Sequence, residues 1–133
     1  PEEKSAIRIK KWVTAGGLSA RTDFYAKDAV PGYTLLRAMP RTGRTNQIRI
    51  HAAYSELPLV GDKLYHPDEQ VFLDFFDDRD SDSVKTRAGF HRHCLHAAFL
   101  GFKHPETGRD VTIESPLPED LANLWQSFKT NLL

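Results

Sequence analysis

One cysteine, one methionine and no net charge in 133 residues exclude several classes at once. A lone Cys94 allows no internal disulfide and fits a reducing, cytoplasmic compartment. No run approaches the roughly 18 apolar residues that a membrane-spanning helix needs. The chain has no glycine-rich phosphate loop, no Gly-x-Ser-x-Gly elbow and no Asp-x-Asp-x-Asp-Gly calcium loop, so those chemistries have no sequence support. The first residues, Pro1-Glu2-Glu3-Lys4, lack both an initiator Met and the shape of a signal peptide. The expectation is that either a tag was removed or the chain is cut from something longer; by length it is one domain.

The zero net charge is unevenly distributed. Residues 1–60 hold ten Lys and Arg against five Asp and Glu, and residues 61–133 hold eight against thirteen. A basic half suits a phosphate-bearing partner.

Alternation and turn signals give the elements. Residues 6–13 and 20–27 read as strands, Pro31-Gly32 as a turn, and Tyr33 to Met39 as a third strand. Thr45 is a candidate N-cap for a helix over 46–56. Residues 57–60 read as a short apolar strand. Residues 66–91 carry a dense set of acids and read as an acidic loop insertion, mobile over 77–83, with at most one helical turn near Val71–Phe76. Residues 95–103 read as a buried strand, 105–108 as a hairpin turn, and Arg109 to Glu114 as the return, with Val111 and Ile113 facing the core. Pro118 opens a C-terminal helix with an apolar stripe of Leu121, Leu124, Trp125, Phe128 and Leu132. The fold class is α+β: a mixed, mostly antiparallel sheet with a motif-bearing helix and a C-terminal helix.

The richest segment is Thr42-Gly43-Arg44-Thr45-Asn46-Gln47-Ile48-Arg49-Ile50-His51. It puts two arginines beside a helix start, where backbone N–H groups add partial positive charge. Two guanidinium forks there suit a carboxylate or phosphate; a pair of surface arginines matched to nearby acids is the plainer alternative. His91, His93, Cys94 and His96 invite a zinc reading. His93 and His96, three apart at the edge of an expected strand, do not share a face cleanly, and no second pair stands at finger spacing. His96 reads better as a hydrogen-bonded, partly buried histidine. Cys94 lacks the flanking motif of a nucleophile. Tyr54 and Tyr65 are candidates to stack on bases, or ordinary half-buried tyrosines.

Taken together, the motifs resemble the RluA-type family of RNA pseudouridine synthases. Residues 42–51 resemble that family's Gly-Arg-Thr-His-Gln-Ile-Arg-x-His segment, with Asn46 in place of His. Leu57-Pro58-Leu59-Val60-Gly61-Asp62-Lys63-Leu64-Tyr65 resembles Pro-Ile-x-Gly-Asp-x-x-Tyr. Arg92-His93-Cys94-Leu95-His96-Ala97 resembles Arg-x-x-Leu-His-Ala. Phe102-Lys103-His104-Pro105-Glu106-Thr107-Gly108 and Ser115-Pro116-Leu117-Pro118 resemble the family hairpin and the entry to its last helix. The family's Arg-Leu-Asp-x-x-Thr-Ser-Gly segment, with its catalytic aspartate, and its Lys-x-Tyr-x-Ala segment are not found here.

The resemblance implies the C-terminal subdomain of a pseudouridine synthase catalytic domain over 1–133. It implies isomerisation of uridine in rRNA or tRNA, with no cofactor and no metal. The implied partners are RNA and an N-terminal half of the same protein, without a membrane. The family aspartate drives cleavage of the glycosidic bond, by attack at C1′ or deprotonation at C2′. Arg49 matches the arginine that pairs with that aspartate. Asp62 and Asp23 match non-catalytic positions. Arg44, Thr45, Asn46, Gln47, Ile48, His51, Leu59 and Val60 are the implied substrate contacts, and Lys10, Lys11 and Arg41 (with Arg44) the candidate phosphate contacts. The isolated 133 residues are expected to be inactive. Two alternatives stand beside this reading: a non-catalytic RNA-binding relative, and a small zinc-stabilised or structural interaction domain.

Overall fold

The computed structural model describes residue 7 and residues 10–131. It forms an α+β arrangement of four strands and four helices among these residues. They divide into two compact units. The first comprises residues 1–29 and 34–94, the second residues 30–33 and 95–133.

In the first unit, β1 (Thr22–Val30) and β2 (Tyr33–Pro40) form a two-stranded sheet. The intervening Pro31-Gly32 makes the turn because Gly32 adopts φ 86°, which a side chain disfavours. The tip of this hairpin, residues 30–33, belongs to the second unit. The strand expected over 6–13 lies partly outside the described residues, and residues 10–14 carry no strand.

The motif helix α1 spans Gln47–Tyr54. Its N-cap is Asn46, not Thr45, and Asn46 caps by backbone conformation alone, at φ 55° and ψ 23°. Asn is one of the few residues that tolerate this left-handed region, because its short polar side chain finds local partners. Residues 57–60 form no strand. Pro58 supplies no N–H, and Leu57 N is already spent on Ala52 O at 2.9 Å, closing the helix.

The acidic stretch is not a loop. It holds α2 (Gln70–Asp77) and α3 (Asp82–Ala88), packed through Val71, Val84, Ala88 and Phe75. Ser81 caps α3, its Oγ accepting from Val84 N at 3.3 Å, and Gly89 ends it at φ 95°. Asp74 bonds Arg87 Nη2 at 2.7 Å and Gln70 Nε2 at 2.8 Å, so part of the negative charge is matched inside the helical pair.

The second unit holds β3 (Phe99–Lys103), β4 (Asp110–Glu114) and α4 (Glu119–Thr130). β3 and β4 pair antiparallel, with Phe99 opposite Glu114 and Lys103 opposite Asp110. The turn is organised by His104, whose Nδ1 accepts from the backbone of Glu106 and Thr107 at 3.2 and 3.3 Å. β3 was expected to be buried, and Ile113 to face a core. Instead Leu100 is 59% and Ile113 52% exposed: they lie opposite each other on one face of the pair, and no packed layer among the described residues covers that face there. In α4, Leu121 is buried and Phe128 stacks on Tyr33 at 3.8 Å. Leu132, expected in the same stripe, lies outside the described residues.

Candidate functional site

Two residues into α1, the Arg49 side chain meets the loop that follows Val60. Arg49 Nε and Nη2 donate to Asp62 Oδ2 and Oδ1, both at 2.8 Å, in a two-pronged ion pair. Asp62 is fully buried at its side chain, while Arg49 keeps 17% of its own exposed. Oδ1 also accepts from the backbone of Leu64 and Tyr65, each at 3.1 Å. Burial alone would push the Asp62 carboxyl up. The Arg49 and Tyr65 donors outweigh it and hold the group below its ordinary 3.8. Among the described residues Arg49 Nη1 makes no hydrogen bond, so one edge of the guanidinium is unspent.

The loop can deliver Asp62 only because of Gly61. At φ 79°, a Cβ on Gly61 would overlap the Arg92 carbonyl. Gly61 N donates to Ala88 O at 2.7 Å and Cys94 N to Val60 O at 2.8 Å, which ties the loop to the end of α3 and to the 92–94 segment. Lys63, buried, donates to His91 O at 2.7 Å. Burial pulls its ammonium below the usual lysine value.

Tyr65 forms the other side of the pair. Its buried ring lies 5.2 Å from the Arg49 guanidinium, and Asn46 Nδ2 donates to its hydroxyl at 3.4 Å. Burial raises the phenol above 10. His93 also belongs to this neighbourhood. Burial, and then the charge of Arg49, hold its imidazole below 6.5, with Asp62 opposing.

Gln47 was expected to touch substrate. It is buried, and its amide is fully engaged within the chain. Nε2 donates to Arg21 O (2.7 Å) and Thr22 Oγ1 (2.9 Å), while Oε1 accepts from Thr42 Oγ1 (2.6 Å) and Arg44 N (3.1 Å). No donor or acceptor remains for a ligand. Gln47 instead fastens α1 to the start of β1. His51 Nδ1 shares the same Thr22 hydroxyl at 2.7 Å.

The other expected contacts divide by exposure. Arg44 and Thr45 are exposed; Ile48, Leu59 and Val60 are half-buried. Lys11 is exposed. Lys10 is not: it is buried, 3.7 Å from Glu69 and over the rings of Trp12 and Tyr65, so its charge is spent inside the chain. Arg41 is exposed, but its Nε is held by Asp23 at 2.8 Å, so a phosphate would have to compete with that carboxylate. Sequence reasoning also missed Asp62 as the partner of Arg49, and His93 as a neighbour of the pair. The signal for Asp62 was the spacing Asp-x-x-Tyr, which lets one carboxylate take two following backbone N–H groups.

The histidine cluster does not gather. His96 Nε2 donates to Ser115 O at 3.0 Å in the second unit, and no three His, Cys, Asp or Glu side chains among the described residues come together as a metal site. No helix among them is long and apolar enough to cross a membrane.

No family model matches the chain. Individual relatives do. The chain is 37% identical over 119 residues to a Bacillus subtilis protein named uncharacterized RNA pseudouridine synthase YlyB, covering 90% of this chain and 34% of that one. It is 35% identical over 131 residues to ribosomal large subunit pseudouridine synthase C of Vibrio vulnificus, covering 98% and 38%. To the Escherichia coli protein of the same name it is 36% identical over 128 residues, covering 95% and 36%. The chain thus spans about a third of the length of these relatives. With its motifs in family order, the chain belongs to the RluA-type family of RNA pseudouridine synthases.

Proposed function

We propose that this chain is the C-terminal subdomain of the catalytic domain of an RNA pseudouridine synthase and supplies one wall of its uridine site. The substrate is a cytoplasmic ribosomal or transfer RNA; the relatives named for the ribosomal large subunit favour ribosomal RNA. The observation that carries the reading is the Arg49–Asp62 pair. A buried carboxylate consumes one edge of the guanidinium, fixes its plane, and leaves Nη1 for a second anion. That anion is the family's aspartate, contributed by an Arg-Leu-Asp segment that these 133 residues do not contain. Asp62 is therefore a positioning residue and Arg49 the group that keeps the reactive carboxylate ionised and aimed.

The chemistry is an internal exchange. The uridine N1–C1′ bond breaks, the uracil turns, C5 bonds to C1′, and the proton from C5 is lost as N1 gains one. Atoms and electrons balance without an oxidant or reductant. Ile48, Leu59 and Val60 give the uracil an apolar lining. The base must first leave its stack, at a cost of a few kcal/mol unless it is unpaired.

The test is release of tritium from RNA labelled at uridine C5. The 133 residues alone are expected to release none. Supplied with an Arg-Leu-Asp-bearing segment, covalently or in trans, they are expected to release it from ribosomal RNA. Release by the chain alone would overturn the assignment of the missing aspartate.

A further inference from the structure

Apart from the Arg49–Asp62 pair, the first unit contains a groove of about 570 Å³. That volume lies within the roughly 300–1,000 Å³ of ordinary ligand sites. Trp12, Leu18 and Ile50 line it together with Lys11, Arg44 and His51, and no Asp or Glu among the described residues does. The Trp12 indole has a fixed plane. It stacks near-parallel on Tyr65 at 6.2 Å and meets the edge of Tyr54 at 6.1 Å. Leu18 beside it is 79% exposed. Arg44 is anchored through Nε to Ser19 O at 3.2 Å, and no acid among the described residues pairs with Arg44 or Lys11. A rigid aromatic, an apolar edge and two cations that no acid among the described residues matches form, in one groove, a site for a flat, anionic ligand.

We propose that this groove binds an unpaired nucleotide of the RNA next to the target uridine, with its base on Trp12 and its phosphates at Lys11 and Arg44. The inference rests on the RNA-modifying function above, because it takes RNA as the ligand. An aromatic face accepts any base, so the subsite holds the strand without reading its sequence. Holding a neighbour in a splayed conformation offsets part of the unstacking that extrusion of the target base requires.

The test is binding of a fluorescently labelled single-stranded penta-uridylate to the full chain, read as anisotropy over a range of salt. Trp12→Ala is expected to weaken binding about tenfold, and Trp12→Phe much less. Lys11→Ala and Arg44→Ala are each expected to lower the slope of log K against log salt by about 0.7. These two leave the Trp12–Tyr65 stack intact, so they decide the matter if Trp12→Ala fails to fold. Unchanged salt slopes in both, or binding of a well-folded Trp12→Ala within twofold of wild type, overturns the subsite alone. Competition by deca-glutamate as effective as that by unlabelled penta-uridylate also overturns it and marks an acidic-peptide site. Wild-type chain that binds no RNA removes the subsite; the tritium assay then stands or falls separately.

Discussion

Replacing Asp62 with asparagine changes one oxygen for an NH2 group and leaves the shape intact. Oδ1 takes three of the four bonds at this carboxylate, from Arg49 Nη2, Leu64 N and Tyr65 N, so the amide oxygen will sit there. The new Nδ2 then faces Arg49 Nε, donor against donor, where a 2.8 Å charged bond had been. Loss of a hydrogen bond to a charged group costs about 1.5–3 kcal/mol. Removing one partner of a buried pair costs about 3–5 kcal/mol. The side chain of Arg49 is partly exposed, which places the expected loss near the lower end, about 3 kcal/mol. For a chain of this size that lowers Tm by roughly 10 °C. The pH dependence gives an independent check. Because the folded carboxyl is held below 3.8, the unfolded chain binds the extra proton first. The stabilisation is therefore fully present above the unfolded value and is lost as pH falls from about 3.8 through the lower folded value. Urea titrations at pH 7 and at steps below pH 4 should show the gap between wild type and D62N closing as the acid range is entered. A Tm within a degree of wild type at pH 7, or a gap that stays constant on acidification, would refute the account of this pair.

In the active enzyme, Arg49→Ala should reduce turnover of uridine far more than Arg41→Ala, because Arg41 is exposed and already occupied by Asp23; equal losses measured by tritium release would remove Arg49 from its role. Gly61→Ala should cost more than about 3 kcal/mol, since both its positive φ and the Arg92 carbonyl oppose a Cβ, and a denaturation midpoint near wild type would contradict the described loop. His93, followed by NMR, should titrate with a midpoint below 6.5. Its depressed folded pKa means that the unfolded chain takes the proton first, so His93 subtracts stability as pH falls below about 6.5; His93→Gln should abolish that slope, and a midpoint above 6.5 would contradict its burial beside Arg49.

Turn chemistry made much of the fold legible. Pro31-Gly32, the His104–Gly108 hairpin and the Pro118 entry to α4 each impose a local geometry that neighbours do not override. The α2–α3 pair was hidden because seven acids mask an i, i+4 pattern: Val71 with Phe75, and Val84 with Ala88. Ser81 and Gly89 were its boundary signals, and the surrounding charge suggested disorder instead. Lys10 failed for the opposite reason. Its charge pointed outward, yet Trp12, Tyr65 and Glu69 draw it inside, an arrangement no local pattern encodes. In the candidate site, the motif singled out Arg49 as a partner for a carboxylate. Its partnership with a residue thirteen positions away was not, since sequence spacing says nothing of which carboxylate a fork will meet.

The amide at position 47 has a genetic consequence. Thr22 is remote in sequence from Thr42 and Gln47, yet the three share one saturated knot of hydrogen bonds. Substitutions at any of them turn the same helix and thereby re-aim the guanidinium two residues along. In a pairwise scan these positions should act as a single locus, each masking the others, although none of the three bonds the Arg49 guanidinium.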